Sequence, residues 1–382
     1  MSARPGEASG SEIGNPSPAP VLPRDYTVIG VMSGTSLDGV DLCCVHFNSG
    51  NLENNFTIVA AETKDYPDSW RSRLKGAFDL DSKSLSDLDF VYGTFLGDLV
   101  KSFVEENAGK LGKGSVDLIA SHGHTIFHKP DEGITVQIGS GQCICAAAKI
   151  QTVCNFRLQD VQLGGQGAPL VPIGDEILFR EYDVCLNLGG IANLSFQDKD
   201  GRRLAFDICP VNLVLNRFAS KLGLPYDDGG ELAKKGKLSE ALYDQLNRLE
   251  FYRQTGPKSL GYEFVVVTIL PLMSLFELDV CDVLHTFTEH IAYQIGKTLR
   301  GTEKRNVLVT GGGAYNSYLI ERVKTHTPGV DVCLPSDEIV NYKEALIFAL
   351  LGVLRIEGIN NCLASVTGAE RDHCSGCVYN CS

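Results

Sequence analysis

The stretch VIGVMSGTSLDGVDLCCVHF, Val28 to Phe47, carries the first decision about this chain. An apolar run breaks into Ser33-Gly34-Thr35-Ser36-Leu37-Asp38-Gly39 and returns to alternation from Val40 onward. Apolar runs on both sides of a glycine-bearing break read as the two strands of a hairpin. Glycines at such a tip let the backbone approach a ligand and turn its N–H groups toward it, and the neighbouring hydroxyls add donors. Gly34, Thr35, Ser36, Leu37, Asp38 and Gly39 therefore form a candidate cradle for phosphate oxygens, with Asp38 as a candidate holder of a metal-bound water. The plainer alternative is that Gly34 and Gly39 only make a tight turn. If the cradle reading holds, Gly39→Val weakens nucleotide binding with little loss of fold.

An echo of this hairpin lies roughly 155 residues further on, in VCLNLGGIANLSFQDKDGRRLAFDICP from Val184 to Pro210. A repeat that long suggests duplicated domains, because solenoid repeats run about 20–50 residues. Gly189, Gly190 and Asn193 make a second candidate phosphate loop. A third glycine turn, VTGGGAYNSYLIERV, follows an apolar run and precedes a helical pattern, so Gly311, Gly312, Gly313 and Asn316 suit a nucleoside or phosphate. It matches neither the Walker nor the Rossmann glycine spacing. Strand-like segments at Tyr26–Met32, 116–121, Val184–Leu188 and Asn306–Thr310 alternate with helical spacing near 85–108, 211–222, 280–300 and 317–325, which predicts an α/β chain.

Bulk properties set the boundaries. The chain has 382 residues and a formal net charge of −13, with no Lys/Arg block, which argues against a nucleic-acid surface. No apolar run reaches the length of a membrane span. The first 24 residues are rich in Pro, Ser and Gly without an apolar core, so they read as a disordered arm rather than a signal peptide. Thirteen cysteines, an odd number in a long chain, fit reduced thiols better than a disulfide framework. The tail HCSGCVYNC contains a CxxC, Cys374 and Cys377, but no second spaced pair, so a metal-free tail is expected.

Nine motifs in one order from Gly30 to Arg371 then carry a resemblance: GVMSGTSLDGVD, SHGHTIFH, GGQGAPLVP, LNLGGIANLS, FDICPVN, PKSLGYEF, VTGGGAYN, EALIFALL and ASVTGAER. The chain resembles the anhydro-N-acetylmuramic acid kinases and their relatives, which include levoglucosan kinase. That resemblance implies an actin/sugar-kinase/Hsp70-type fold, with two RNase-H-like α/β domains and ATP in the cleft between them. It implies domains at 25–150 and 151–382, with the last segment packing back on the first domain. It also implies a cytoplasmic enzyme, a homodimer as its assembly, and ATP and Mg²⁺ as cofactors. The reaction opens the 1,6-anhydro bridge of a small anhydrosugar with water and phosphorylates the released O6.

By the same resemblance Asp207 is the general base, SGTSLDG and LNLGGIANL are the phosphate loops, and TGGGAYN lies against the nucleoside. Glu344 faces the cleft, for Mg²⁺ or for sugar. His122, Arg157, Asp160 and Gln166 surround the sugar, although Arg157 and Asp160 equally suit a structural ion pair at a domain joint. Departures from the family pattern cluster near Asp207. FDTGPGN reads Phe206-Asp207-Ile208-Cys209-Pro210-Val211-Asn212, and PKSTGRE reads Pro257-Lys258-Ser259-Leu260-Gly261-Tyr262-Glu263. A valine in place of a glycine is strained wherever that glycine had a positive φ. Ile208, Cys209, Val211 and Leu260 are therefore expected to narrow the sugar side and to favour a small anhydrohexose such as levoglucosan. The competing readings are a nucleotide-binding protein without turnover and a conventional hexose kinase.

Overall fold

The computed structural model describes residues 18–34, 37–111, 116–254, 256–300 and 304–381. Tyr26–Ser33 (β1) and Gly39–Phe47 (β2) form the hairpin read from the sequence, with Val28 opposite Val45. Phe56–Asp65 (β3) pairs antiparallel with β2. Ser82–Glu106 (α1) starts at Asp81, whose carboxylate accepts from the Lys83 and Ser84 N–H groups at 2.9 Å. It buries Leu88, Tyr92, Leu96, Val100 and Phe103 at helical spacing. Leu118–Ser121 (β4) lies parallel to β1. Gly141–Ala148 (α2) leads to Thr152–Cys154 (β5), parallel to β4. The order across this sheet is β3-β2-β1-β4-β5.

Leu158–Gln162 (α3) and Pro172–Leu178 (α4) connect to a second sheet. Its strands are Val184–Leu188 (β6), Ile191–Gln197 (β7), Arg203–Pro210 (β8), Asn306–Thr310 (β9) and Asp331–Cys333 (β10), in the order β8-β7-β6-β9-β10. The first three are antiparallel neighbours and the last two run parallel, as in the first sheet. The echo in the sequence is thus a duplicated sheet of one topology. Asn212–Ala219 (α5) follows β8, Val280–Arg300 (α6) precedes β9, and Ser317–His326 (α7) follows it.

The long helix Asp337–Ile356 (α8) follows the second sheet but packs on β1, β2 and β4 of the first. Ala345 through Leu351 are each at most 1% exposed, so this helix is apolar all round its middle turns. Gly30 makes the approach possible, because a Cβ there would lie 1.8 Å from the Ala345 carbonyl oxygen. Cys377–Tyr379 (β11) adds a sixth strand to the first sheet beside β5.

Two expectations change here. Cys145 and Cys381 are joined in a disulfide, because β11 carries the end of the chain back alongside α2. Of the expected arm 1–24, residues 1–17 lie outside the described residues. Val21–Leu22 pairs with Gly50–Asn51, and Leu22 is 2% exposed in the first core.

Candidate active site

A cleft of about 1260 Å³ opens between the two sheets. Its floor on the second sheet is a row of polar side chains at one level. Thr310 on β9 pairs with Asn187 on β6, Asn187 with Asn193 on β7, and Asn193 with Asp207 on β8. All four line the cleft. Residues directly opposite in a sheet point to the same face, which is why the row forms. The register slips between Ala192 and Asn193, so that Ala192 faces Cys209 and Ile208 is the extra residue. A bulge re-aims neighbouring side chains. Here Ile208 and Cys209 both go into the core while Asp207 reaches the cleft.

Asp207 is held by one oxygen. Its Oδ2 accepts from the Leu260 N–H at 2.7 Å and from the Ser259 hydroxyl at 3.2 Å. Among the described residues Oδ1 has no partner. Burial pushes this carboxyl above the ordinary range, against the pull of the Leu260 and Ser259 hydrogen bonds. A carboxylate oriented on one side, free on the other and raised in basicity is suited to accepting a proton.

The first sheet contributes Asp41 on β2, whose Oδ1 accepts from the Thr63 hydroxyl at 2.6 Å. Glu344 on α8 also lines the cleft. Burial pushes Glu344 up and the Asp41 charge adds to it, while Arg157 pulls the other way. Burial likewise raises Asp41, and Asp38 adds to it. Two carboxylates that line one cleft and repel one another fit a divalent cation between them.

At the base of the cleft, where Asp175, Ser195 and Lys343 are among the lining residues, a buried network joins the halves. Asp175 on α4 sits 2.6 Å from the Lys343 ammonium on α8. Arg203 on β8 lies 3.8 Å from Asp175 and donates to the Ser195 hydroxyl at 2.8 Å. Burial by itself would raise Asp175, but the charges of Lys343 and Arg203 outweigh it and hold the carboxyl below its ordinary range.

Gly189, Asn193, Asp207, Gly311, Gly312, Gln166 and Glu344, named from the sequence, line this cleft. Thr35 and Ser36 lie outside the described residues. Gly34, Leu37, Asp38 and Gly39 stand at the hairpin tip and are not among the lining residues; Asp38 is exposed. Leu37 has a φ of 61°, a conformation that a branched side chain rarely adopts.

Gly39 is packed tightly, since a Cβ there would lie 2.7 Å from the Lys64 carbonyl oxygen. The expectation that Gly39→Val spares the fold is therefore corrected. Gly190 accepts the Val211 N–H, which anchors α5, and Gly313 packs on Leu188. Asn316 caps α7 by accepting from the Leu319 N–H at 2.9 Å.

His122 and Arg157 meet at 2.9 Å, and Arg157 Nη1 donates to the Gly167 carbonyl at 2.7 Å. Burial, with Arg157 beside it, holds His122 well below the ordinary imidazole range, so its Nε2 accepts from Arg157 while Nδ1 faces the Gly123 carbonyl. Asp160 is fully buried, with Oδ2 on the Gly167 N–H and Oδ1 on the Thr367 hydroxyl, both at 2.7 Å. His122, Arg157 and Asp160 are thus beneath the loop that carries Gln166, not on the cleft wall. Asp41 lines the cleft although the sequence reading assigned it no role, and Asn187 and Thr310 line it from within the two motifs read as nucleotide loops, where they were not singled out.

The departures from the family pattern also resolve. Ile208, Cys209, Val211 and Leu260 are 2%, 0%, 0% and 8% exposed and belong to the core of the second half, and none lines the cleft. Val211 has a φ of −128°, so valine meets no left-handed strain there. The expected narrowing of the sugar side is corrected: the added carbon atoms fill the core.

Two sheets of one topology, closing on a polar cleft with an apolar helix shared between them, are the kind of arrangement that the family resemblance implied. The chain belongs to the anhydro-N-acetylmuramic acid kinase family, whose model matches residues 26–381. It is 32% identical over 381 residues to the anhydro-N-acetylmuramic acid kinase of Caldanaerobacter subterraneus, covering 91% of this chain and 95% of that one. It is 33% identical over 367 residues to that of Vibrio cholerae, covering 92% and 97%. Among solved structures it is similar to the activator of 2-hydroxyisocaproyl-CoA dehydratase from Clostridium difficile with bound ADPNP. That match has 15% identity and a TM-score of 0.41 and covers 87% of this chain and 96% of that one. Among the described residues no helix is long and apolar enough to cross a membrane.

Proposed function

We propose that this chain is an ATP-dependent kinase that opens the 1,6-anhydro bridge of anhydro-N-acetylmuramic acid with water and phosphorylates the released O6. The observation that carries the reading is Asp207, fixed through Oδ2 and free at Oδ1, in a polar row facing the cleft of a chain of this family. Water attacks C1 and passes its proton to Asp207. The C1–O6 bond breaks, O6 bonds to the γ-phosphorus, and ADP leaves with the oxygen that bridged the β- and γ-phosphates. Phosphoryl transfer asks mainly for positioning and charge neutralisation. Gly189, Gly311 and Gly312, beside Asn187 and Thr310, would carry the nucleotide phosphates. Asp41 and Glu344 would hold Mg²⁺, which when bound neutralises charge on the transferred phosphoryl group. Gln166 and Asn193 are candidates for the sugar hydroxyls, and the setting is the cytoplasm.

The altered ICPVN, which favoured a nucleotide-binding protein without turnover, loses its force, since Ile208, Cys209 and Val211 lie in the core and none has a positive φ. ADP release measured with a panel of sugars tests the proposal. Release with anhydro-N-acetylmuramic acid and not with free hexoses is the expected result. Release with free hexoses would instead make Asp207 the base for a sugar hydroxyl, and no release with any sugar would leave a nucleotide-binding protein.

A further inference from the structure

Asp160, Cys362 and His373 meet behind the loop that bears Gln166, and they are 0%, 1% and 5% exposed. Asp160 Oδ, Cys362 Sγ and a ring nitrogen of His373 all lie within 4.8 Å of one another. The backbone fixes two of them, because Cys362 and His373 face each other in an isolated antiparallel bridge, with hydrogen bonds of 3.1 and 3.2 Å. His373 Nδ1 lies 3.1 Å from the Arg371 carbonyl, to which it can only donate. In the neutral ring the lone pair is then on Nε2. That atom is buried without a hydrogen-bond partner and sits 3.6 Å from Asp160 Oδ1. A lone pair and a carboxylate oxygen facing each other in a dry site call for a positive charge between them, supplied by a proton or by a metal ion.

We propose that Asp160, Cys362 and His373 supply three of the four ligands that a tetrahedral zinc ion takes. A zinc ion bonded tetrahedrally to nitrogen and oxygen at about 2.0–2.1 Å holds the two roughly 3.3 Å apart, close to the separation present. A thiol as third neighbour matches the mixed N/O/S sets that zinc takes, whereas a bridging proton makes no use of it. None of the three residues lines the cleft, so the ion is not a participant in phosphoryl transfer. It ties the segment around 361–375 to the 157–167 segment. Asp160 already holds the Gly167 N–H there and Arg157 holds its carbonyl, so the ion braces the loop that presents Gln166. The CxxC of the tail takes no part.

The test uses the untagged full-length chain, purified without chelator, analysed for metal and then exchanged into cobalt(II). One zinc per chain is expected, together with a thiolate-to-cobalt charge-transfer band in the near ultraviolet. Cys362→Ser should abolish that band and His373→Gln should release the metal, while the double change Cys374→Ser, Cys377→Ser should leave both unchanged. A wild-type chain that holds no zinc and gives no thiolate–cobalt band overturns the proposal, even if the buried-site variants fail to fold. A band that survives Cys362→Ser but disappears in the tail double variant overturns it as well.

Discussion

The two sheets run through the same strand order, yet they place different chemistry at equivalent points. In the first, the third residue of the second hairpin strand is Asp41, paired with Met32 on one side and Thr63 on the other. In the second, the third residue is Asn193, paired with Asn187 and Asp207. The residue before each, Val40 or Ala192, is fully buried, so the next one must face the cleft. The first half puts its carboxylate on the central strand and a hydroxyl beyond it. The second puts an amide on the central strand and its carboxylate beyond. Duplication supplied two matching ledges, and substitution made one a candidate cation site, with Glu344, and the other a candidate base.

The sharpest way to break this comparison is Asp207→Asn. The amide keeps the shape but accepts no proton, so turnover should fall by about two to four orders of magnitude with nucleotide binding retained. The same assignment fixes a pH effect in the wild type. Asp207 works as the carboxylate and burial raises it, so kcat/KM should fall on acidification at a pH above the ordinary aspartate range. Near-normal turnover in the variant, or an acid limb in the ordinary range, would detach the second ledge from catalysis.

Next in size is the ion-pair joint at the base of the cleft. Lys343→Met removes a buried partner of Asp175 and should cost about 3–5 kcal/mol in denaturant unfolding. A smaller cost would mean that Arg203 suffices to pair Asp175.

The glycine turns should separate by half. Gly39→Val must push against the Lys64 carbonyl and should destabilise the chain by about 1–3 kcal/mol. A Cβ at Gly312 meets only the Asn212 amide nitrogen, at 3.7 Å. Gly312→Val should therefore keep the melting temperature and weaken nucleotide binding, which calorimetry with an ATP analogue reads directly. Equal stability losses in the two variants would remove the distinction.

The smallest effect is expected at the substituted family positions. Ile208→Val trims the core of the second half and should cost about 0.5–1.5 kcal/mol of stability. The ratio of kcat/KM for anhydro-N-acetylmuramic acid over levoglucosan should stay within about twofold, since roughly 1.4 kcal/mol in the cleft is needed for a tenfold change. A shift of tenfold would return Ile208 to the sugar side.

Much of the fold was legible before any coordinates. Val184–Leu188, Asn306–Thr310 and the 21 residues of Val280–Arg300 follow the periodicities that mark them. Helix α8 was named only as a motif, because from Ala345 to Leu354 it is buried on every side and that stretch has no polar face and so no helical period to detect.

What the sequence determined by itself was local or repetitive: the hairpins, their glycine tips, the duplication, and the family that places a carboxylate at Asp207. Those signals survive in one dimension because they rest on neighbours a few residues apart. The tertiary structure decided which side of each strand meets the cleft. A register slip at Ala192/Asn193 sends Cys209 inward and Asp207 outward, and no residue in either strand announces it. It also decided that Asp160 and Arg157 lie behind a loop rather than on the cleft wall, and that Cys145 meets Cys381 across 236 residues. Direction and pairing depend on partner strands distant in the chain, and hydrophobic pattern alone does not specify which partner, or which register, a strand will take.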